Sequence, residues 1–208
     1  MRGIGVLCAT LVVVGIAEVA WAGNLIRAGG FEEPVIPPGT YKSYFLGQQF
    51  GSKHGIWTVV GPSGSNASIV STSYVCCGFK FPAERGLAFI DLTGAPDTGL
   101  AQGVAQTVNT VVGTTYRLSF GIGNLYDPGG VFGTTSTVNV YVGQTLILSA
   151  TNAKHSKNRQ LIWKRFHTTF VATAAQTTLS FINGDYGGPN DQICGLDDIF
   201  LAAVPGTR

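Results

Sequence analysis

The sequence predicts an all-β chain, a two-sheet antiparallel sandwich of the jelly-roll kind. Three observations predict it. Only 12% of the residues are charged, 45% are hydrophobic and 29 of the 208 are Gly. That balance suits short strands joined by tight turns and lacks the Ala, Leu, Glu and Lys that helices need. Ten short runs rich in Val, Ile, Thr and Phe alternate in polarity, each bounded by Gly, Pro, Asn or Asp. No 3.6-residue apolar stripe runs long enough for a helix. About ten evenly spaced strands in one modest domain imply two packed sheets.

The chain opens with Met1-Arg2, an apolar run to about residue 17 and then Ala20-Trp21-Ala22. This is the layout of a cleaved secretory signal over residues 1–22, leaving residues 23–208 as a single domain that begins at Gly23-Asn24. The apolar run is too short and too interrupted for a comfortable membrane span of roughly 20 residues. The expected location is therefore secreted, extracellular and off the membrane. A net charge of +2 builds no basic patch for nucleic acid.

The expected strands are residues 56–60, 67–71, 87–92, 101–108, 115–122, 137–142, 145–150, 163–171, 177–181 and 196–202. Val142-Gly143-Gln144-Thr145 reads as a hairpin turn. Three stretches read as irregular: 29–55, 123–135 and 184–195, the last two being Gly/Asp loops that each carry an aromatic residue. Loops on a rigid sandwich are where binding residues usually sit. Of the cysteines, Cys8 falls in the signal, leaving Cys76, Cys77 and Cys194 in an oxidising compartment. Neighbouring cysteines rarely bridge each other. One of the adjacent pair, with Cys77 the working choice, is expected to bond Cys194, leaving a thiol over that could link two chains into an oligomer. A zinc site competes poorly, because the three His lie far from the cysteines in sequence.

At the mature N-terminus stands Asn24-Leu25-Ile26-Arg27-Ala28-Gly29-Gly30-Phe31-Glu32, and near the other end Cys194-Gly195-Leu196-Asp197-Asp198-Ile199. With Gly86 to Gly94, Gln106-Thr107-Val108 and Gly113 to Phe120 between them, this ordered set resembles the galactose-binding-domain-like jelly rolls, where many secreted carbohydrate-binding modules belong. Within that group it looks most like the bacterial relatives of a plant cell-wall family, domain of unknown function 642. Ala28 stands where that family usually has Asn. The resemblance implies a carbohydrate or polysaccharide partner and a structural Ca²⁺ joining the first strand to the last. Gly29, Gly30, Glu32 and Asp197 would hold the ion. The chemistry agrees: two carboxylates brought together repel unless a cation lies between them, and Ca²⁺ takes carboxylate and carbonyl oxygens. Alternation along the last strand puts Asp197, Ile199 and Leu201 on one face, which favours Asp197 over Asp198 as the ligand.

A sugar site needs exposed rings and planar polar partners. The candidate rings are Tyr74, Phe79, Tyr126, Phe132 and Tyr186, and the candidate polar partners Asn124, Asp127, Asn183, Asp185 and Asn190. Tyr126-Asp127 and Asp185-Tyr186, with Asn124, stand out because ring and carboxylate pair inside Gly-rich loops. Trp57 and Trp163 fall in strands and are expected to be structural. Glu84, Asp91 and Asp97 are among the acids that could form a glycosidase pair, but no spacing singles one out, and Asp91 reads as structural. No G-x-S-x-G elbow accompanies His54, His155 or His167. The expectation is a non-catalytic carbohydrate-binding or cell-wall module. Its rivals are a structural or adhesive extracellular protein and, third, a polysaccharide hydrolase.

Overall fold

The computed structural model describes residues 23–53, 55–187 and 192–206. The expected signal segment, His54 and Asn190 lie outside the described residues. Fourteen strands and no helix are found among the described residues: β1 Tyr41–Phe45, β2 Gln49–Ser52, β3 Gly55–Val60, β4 Asn66–Ser71, β5 Val75–Cys76, β6 Phe79–Lys80, β7 Ala88–Asp91, β8 Gly103–Asn109, β9 Thr115–Asn124, β10 Ser136–Val142, β11 Thr145–Asn152, β12 Ile162–Val171, β13 Gln176–Asn183 and β14 Gly195–Ala203. They form two six-stranded antiparallel sheets, β1-β4-β7-β14-β9-β12 (sheet 1) and β11-β10-β13-β8-β3-β2 (sheet 2), with β5-β6 as a separate hairpin.

All ten expected strands are present. The β10–β11 hairpin turns at Gly143, whose φ of +59° is the positive value a two-residue turn needs. The stretch 29–55 is more regular than expected, because it holds both edge strands, β1 and β2. Their signal was hidden by Gly47 and Gly51 and by the pattern of an edge: in β1 only Tyr44 is buried. Asn66, the first residue of β4, is buried and donates to Pro96 O at 2.9 Å.

The main core lies between the sheets. Phe31 and Trp57 have ring centroids 5.3 Å apart, Trp57 and Phe181 6.0 Å, and Phe181 and Phe120 5.5 Å. Trp57 also donates its indole N–H to Ala28 O at 3.0 Å, so this largest side chain is buried without an orphaned donor. A second apolar cluster, Val70, Phe79, Phe81, Phe89, Leu125, Phe132, Leu161 and Ile193, covers the outer side of sheet 1. Strands β4 and β7 are therefore apolar on both faces: Ile69 and Ile90 enter the main core, Val70 and Phe89 the second. Such strands lose clean alternation because both faces are dry.

The first and last described segments meet on sheet 1. Asn24 accepts the amides of Ile26 and Leu201 at 3.0 and 2.8 Å and donates to Ile199 O at 2.9 Å. Leu25 N donates to Leu201 O, and Ile199 N to Gly29 O.

Candidate functional site

Between the β5-β6 hairpin and the loop Gly94–Asp97, the outer side of sheet 1 opens into a cleft of about 340 Å³. Its floor is strand surface, from Ser68, Val70 and Asp91. One wall is a run of rings in edge or tilted contact: Tyr41 to Tyr74 at 5.5 Å, Tyr74 to Phe81 at 5.3 Å, Phe81 to Phe132 at 5.6 Å. The inner rings, Phe81 and Phe132, belong to the second cluster and are buried, whereas Tyr41 is 47% exposed. The opposite wall brings Pro96 and Asp97.

The two acids of the cleft have different work. Asp91 Oδ1 accepts the Thr93 amide and hydroxyl and the Cys194 amide at 2.8 to 3.1 Å, so it ties β7 to the start of β14. Asp97 is half-buried, and burial raises its pKa above the ordinary carboxylate value. Bonds from the Gly99 and Gln192 backbones oppose that rise. The cleft therefore offers apolar rings on one side and a carboxyl that gives up its proton reluctantly on the other.

A second acidic constellation lies where the first and last segments meet. Asp197 is fully buried, accepts Arg85 N at 3.0 Å and Asp198 N at 2.7 Å, and is pushed up to about 8. Burial is the main cause, and the charges of Glu84 and Asp198 add to it. Glu32 accepts Leu87 N at 3.0 Å and Ala88 N at 3.3 Å. Gly30 lies between the two acids: a methyl placed on it would stand 3.9 Å from Asp197 Oδ1 and from Glu32 Cγ. The nearby arginines are engaged elsewhere, Arg165 with Glu84 at 3.1 Å and with Asp198 at 2.6 Å, and Arg85 with Asp198 at 3.6 Å.

Asp197 reaches this place by a different route from the one its alternation suggests. The β14 register breaks between Asp197 and Phe200, and Asp198 takes φ +48°, so a bulge resets the phase. Leu196, Ile199 and Leu201 all enter the main core. Asp197 pairs with Gly121, on the side where a Cβ at Gly121 would collide with Glu84. It therefore sits on the outer side of sheet 1, under the 84–87 loop, and not at the rim of the main core. It remains the more buried of the two neighbouring acids.

No family model matches the chain. It is 26% identical over 187 residues to the Arabidopsis thaliana protein DUF642 L-galactono-1,4-lactone-responsive gene 2, a match covering 87% of this chain and 46% of that one. The chain spans about half the length of this curated relative. Among solved structures, the apo form of a cyclase from Fischerella sp. superposes with a TM-score of 0.63 at 20% identity, covering 90% of this chain and 98% of the other. A cyclase from Fischerella sp. TAU in complex with 4-(1H-indol-3-yl)butan-2-one gives 0.62 at 21% identity, covering 90% and 100%. The chain is a DUF642-like jelly roll. The likeness to the cyclases bears on the fold alone.

In this DUF642-like jelly roll the five residues that the sequence placed in loops have separate tasks, and Asn124 closes β9. Asn124 is buried and donates to Thr134 O and Lys154 O at 3.0 and 2.8 Å while accepting from Ser136 at 3.0 Å. Asp127 N donates to Gly133 O at 2.7 Å and Asp127 O accepts Gly130 N, shaping its own loop. Asp185 accepts Thr137 N and is raised by burial. The rings are the exposed part: Tyr126 packs on His155 at 5.0 Å, and Tyr186 is 55% exposed. Two other candidate rings, Tyr74 and Phe132, stand in the cleft, and a third, Phe79, packs on Phe132 at 5.4 Å. Tyr41 and Phe81 were missed. Tyr41 fell in a stretch read as irregular, and no local pattern announces that Phe81 will face it. Trp57 and Trp163 are structural as expected, Trp163 donating to Pro82 O at 2.8 Å.

The expected Cys77–Cys194 bridge is not formed. Cys194 is buried under sheet 1, with its thiol directed to Thr137 O at 3.4 Å. Cys77 lies at the tip of the β5-β6 hairpin beside Cys76, their Sγ atoms 2.8 Å apart. Cys76, Cys77 and Cys194 are all thiols in this structure.

Proposed function

We propose that the chain is a secreted, non-catalytic carbohydrate-binding module whose sugar site is the aromatic cleft on sheet 1. The cleft carries this reading. A pyranose presents an apolar C–H face and a rim of hydroxyls, and the site that suits it combines rings with polar acceptors. Tyr41, Tyr74 and Phe132 supply the rings, Asp97 and Ser68 the polar groups, on a floor fixed by two hydrogen-bonded strands. The DUF642 likeness and a signal-like leader support an extracellular polysaccharide as partner. The test is retention of purified mature protein on a polysaccharide panel. Tyr41→Ala and Tyr74→Ala should each lower affinity at least tenfold, while Tyr126→Ala and Tyr186→Ala leave it within twofold. Loss in the second pair alone would move the site to the Gly-rich loops. Reducing sugar released and abolished by Asp97→Asn would make the protein a hydrolase.

A structural Ca²⁺ between Glu32 and Asp197 belongs to the same reading. The residues fit a hard cation. Burial leaves Asp197 favouring its neutral form, and a bound cation is the partner that would hold it as the carboxylate. Gly30 leaves the space between the two acids free of a side chain. Among the described residues no cluster of three or more acidic, His or Cys side chains surrounds the place. Backbone carbonyls would therefore complete the shell, which Ca²⁺ accepts. Calcium at a hundred times its Kd would stabilise the fold by about 2.7 kcal/mol. We expect chelator to lower Tm by several degrees in the natural chain and to have no effect in Glu32→Gln. A melting temperature indifferent to chelator removes the ion from the proposal and leaves the cleft untouched.

A further inference from the structure

Cys76 and Cys77 lie on the hairpin that forms one lip of the cleft. The turn joining β5 to β6 is Cys77-Gly78, with Cys76 paired to Phe79. Both turn residues have positive φ, +56° and +78°. That is the two-residue turn whose first position favours Asn, Asp or Gly. A cysteine has none of the features that recommend those residues, so turn chemistry does not account for Cys77. The conformation is nevertheless held firmly. The Arg159 guanidinium stacks 3.9 Å from the Phe79 ring and donates to Gly78 O at 3.2 Å and Cys77 O at 3.3 Å. Lys80 pairs by its backbone with Arg159 and Leu161. The result is two sulfurs 2.8 Å apart, inside their van der Waals separation. Cys77 is exposed, and Cys76 lines the cleft. Cys194, by contrast, is buried deep in the core.

We propose that Cys76 and Cys77 form a vicinal dithiol–disulfide couple at the cleft mouth, exchanging with small-molecule disulfides and thiols. In oxidation the exposed Cys77 loses its proton and its thiolate attacks one sulfur of an external disulfide. That bond breaks, and the leaving thiolate takes up a proton. The Cys76 thiolate then attacks the Cys77 sulfur of the mixed disulfide and expels the second external thiol, which is protonated in turn. Two protein thiols are oxidised and one external disulfide is reduced to two thiols. The reverse sequence consumes two external thiols. Through Cys76, which shares the cleft wall with Tyr74 and Phe81, the redox state reaches the ring wall. The couple itself does not depend on what the cleft binds.

The experiment incubates fully reduced protein with oxidised glutathione and reads intact mass, then maps peptides without reduction. The expected product has lost two hydrogens, carries no glutathione and contains a Cys76–Cys77 link. Cys76→Ser should stop at a single glutathione adduct on Cys77. Cys77→Asn, which suits the positive φ of the turn, should fold with an unchanged or higher Tm and lose no hydrogens. A glutathione adduct that persists on the natural chain, a disulfide-linked dimer, or no change of mass would each overturn the couple. None of these readouts involves a sugar, so the proposal stands or falls separately from the carbohydrate reading.

Discussion

The two sheets have six strands each, yet their outer sides differ. Sheet 2 shows water a polar surface: Thr107 bonds Thr178 at 2.8 Å and Thr137 bonds Thr151 at 2.9 Å across neighbouring strands. Sheet 1 is roofed by Phe79, Phe81, Phe132 and Leu161. A sheet that is apolar on both faces needs loops to cover the second one, and where covering loops part they leave a concave, ring-lined gap. The cleft is therefore a consequence of the unequal faces, which is why the proposed sugar site lies on the covered sheet.

That inequality is most severely tested by Phe81. It is 1% exposed and touches Tyr74 and Phe132, so Phe81→Ala should cost about 3–5 kcal/mol, as large-to-small changes at buried rings do. Thr178→Ala on the open face should stay within about 0.5 kcal/mol, the ordinary range for surface positions. Urea midpoints for the two variants measure the difference. Equal effects would mean that the roof over sheet 1 is loosely attached and that the cleft is not a fixed shape.

Ala28 offers a smaller change that sharpens the comparison, because it sits at the seam of the two sheets in a costly backbone conformation. Its carbonyl holds Trp57 of sheet 2, and the residue before Gly29 leads to the contact with Ile199 of sheet 1. Its φ is +50°, where a Cβ costs roughly 1–2 kcal/mol. Asn visits this region at less cost than Ala because its short polar side chain can bond locally, so Ala28→Asn should raise stability by about 1 kcal/mol, read as a Tm gain of about 2–4 °C for a chain of this size. The family that the sequence resembles usually has Asn here, and the backbone conformation supplies the physical reason.

These positions also show what was legible from sequence. The ten alternating strands were, because period-two burial is a local signal. At the junction of the first and last segments Gly30 stands beside both Asp197 and the Glu32 side chain, and the ion that the resemblance implies there is a proposal. The reason given for Asp197 was not sound, since a bulge at Asp198 cannot be read from polarity. The cleft was only half visible. Tyr74 and Phe132 were candidates as loop aromatics, but their partners Tyr41 and Phe81 come from an edge strand and a hairpin flank, 33 and 7 residues from Tyr74 in sequence. What unites the four is the tertiary roof over sheet 1. The Cys77–Cys194 pairing was misread for a related reason: nothing local in the sequence shows that Cys194 turns into the core toward Thr137 O.

Asp97 gives the smallest effect and the one closest to function. Its carboxyl is half-buried at the cleft wall, and burial raises its pKa above the ordinary value. A carboxyl raised in this way favours the neutral form in the folded state. Its contribution is complete below the ordinary carboxylate range and is lost as pH rises through the raised value. Solvent still reaches the group, so the loss should be slight. Asp97→Asn cannot ionise and keeps an oxygen for Gly99 N. The stability of the natural chain relative to this variant should therefore fall as pH climbs from about 4, then level off. Urea midpoints across a pH series read it directly. A difference that grows with pH would show the opposite preference, a carboxylate that the cleft holds ionised. Asp97 would then meet a sugar as a fixed charge rather than as a group able to offer a proton.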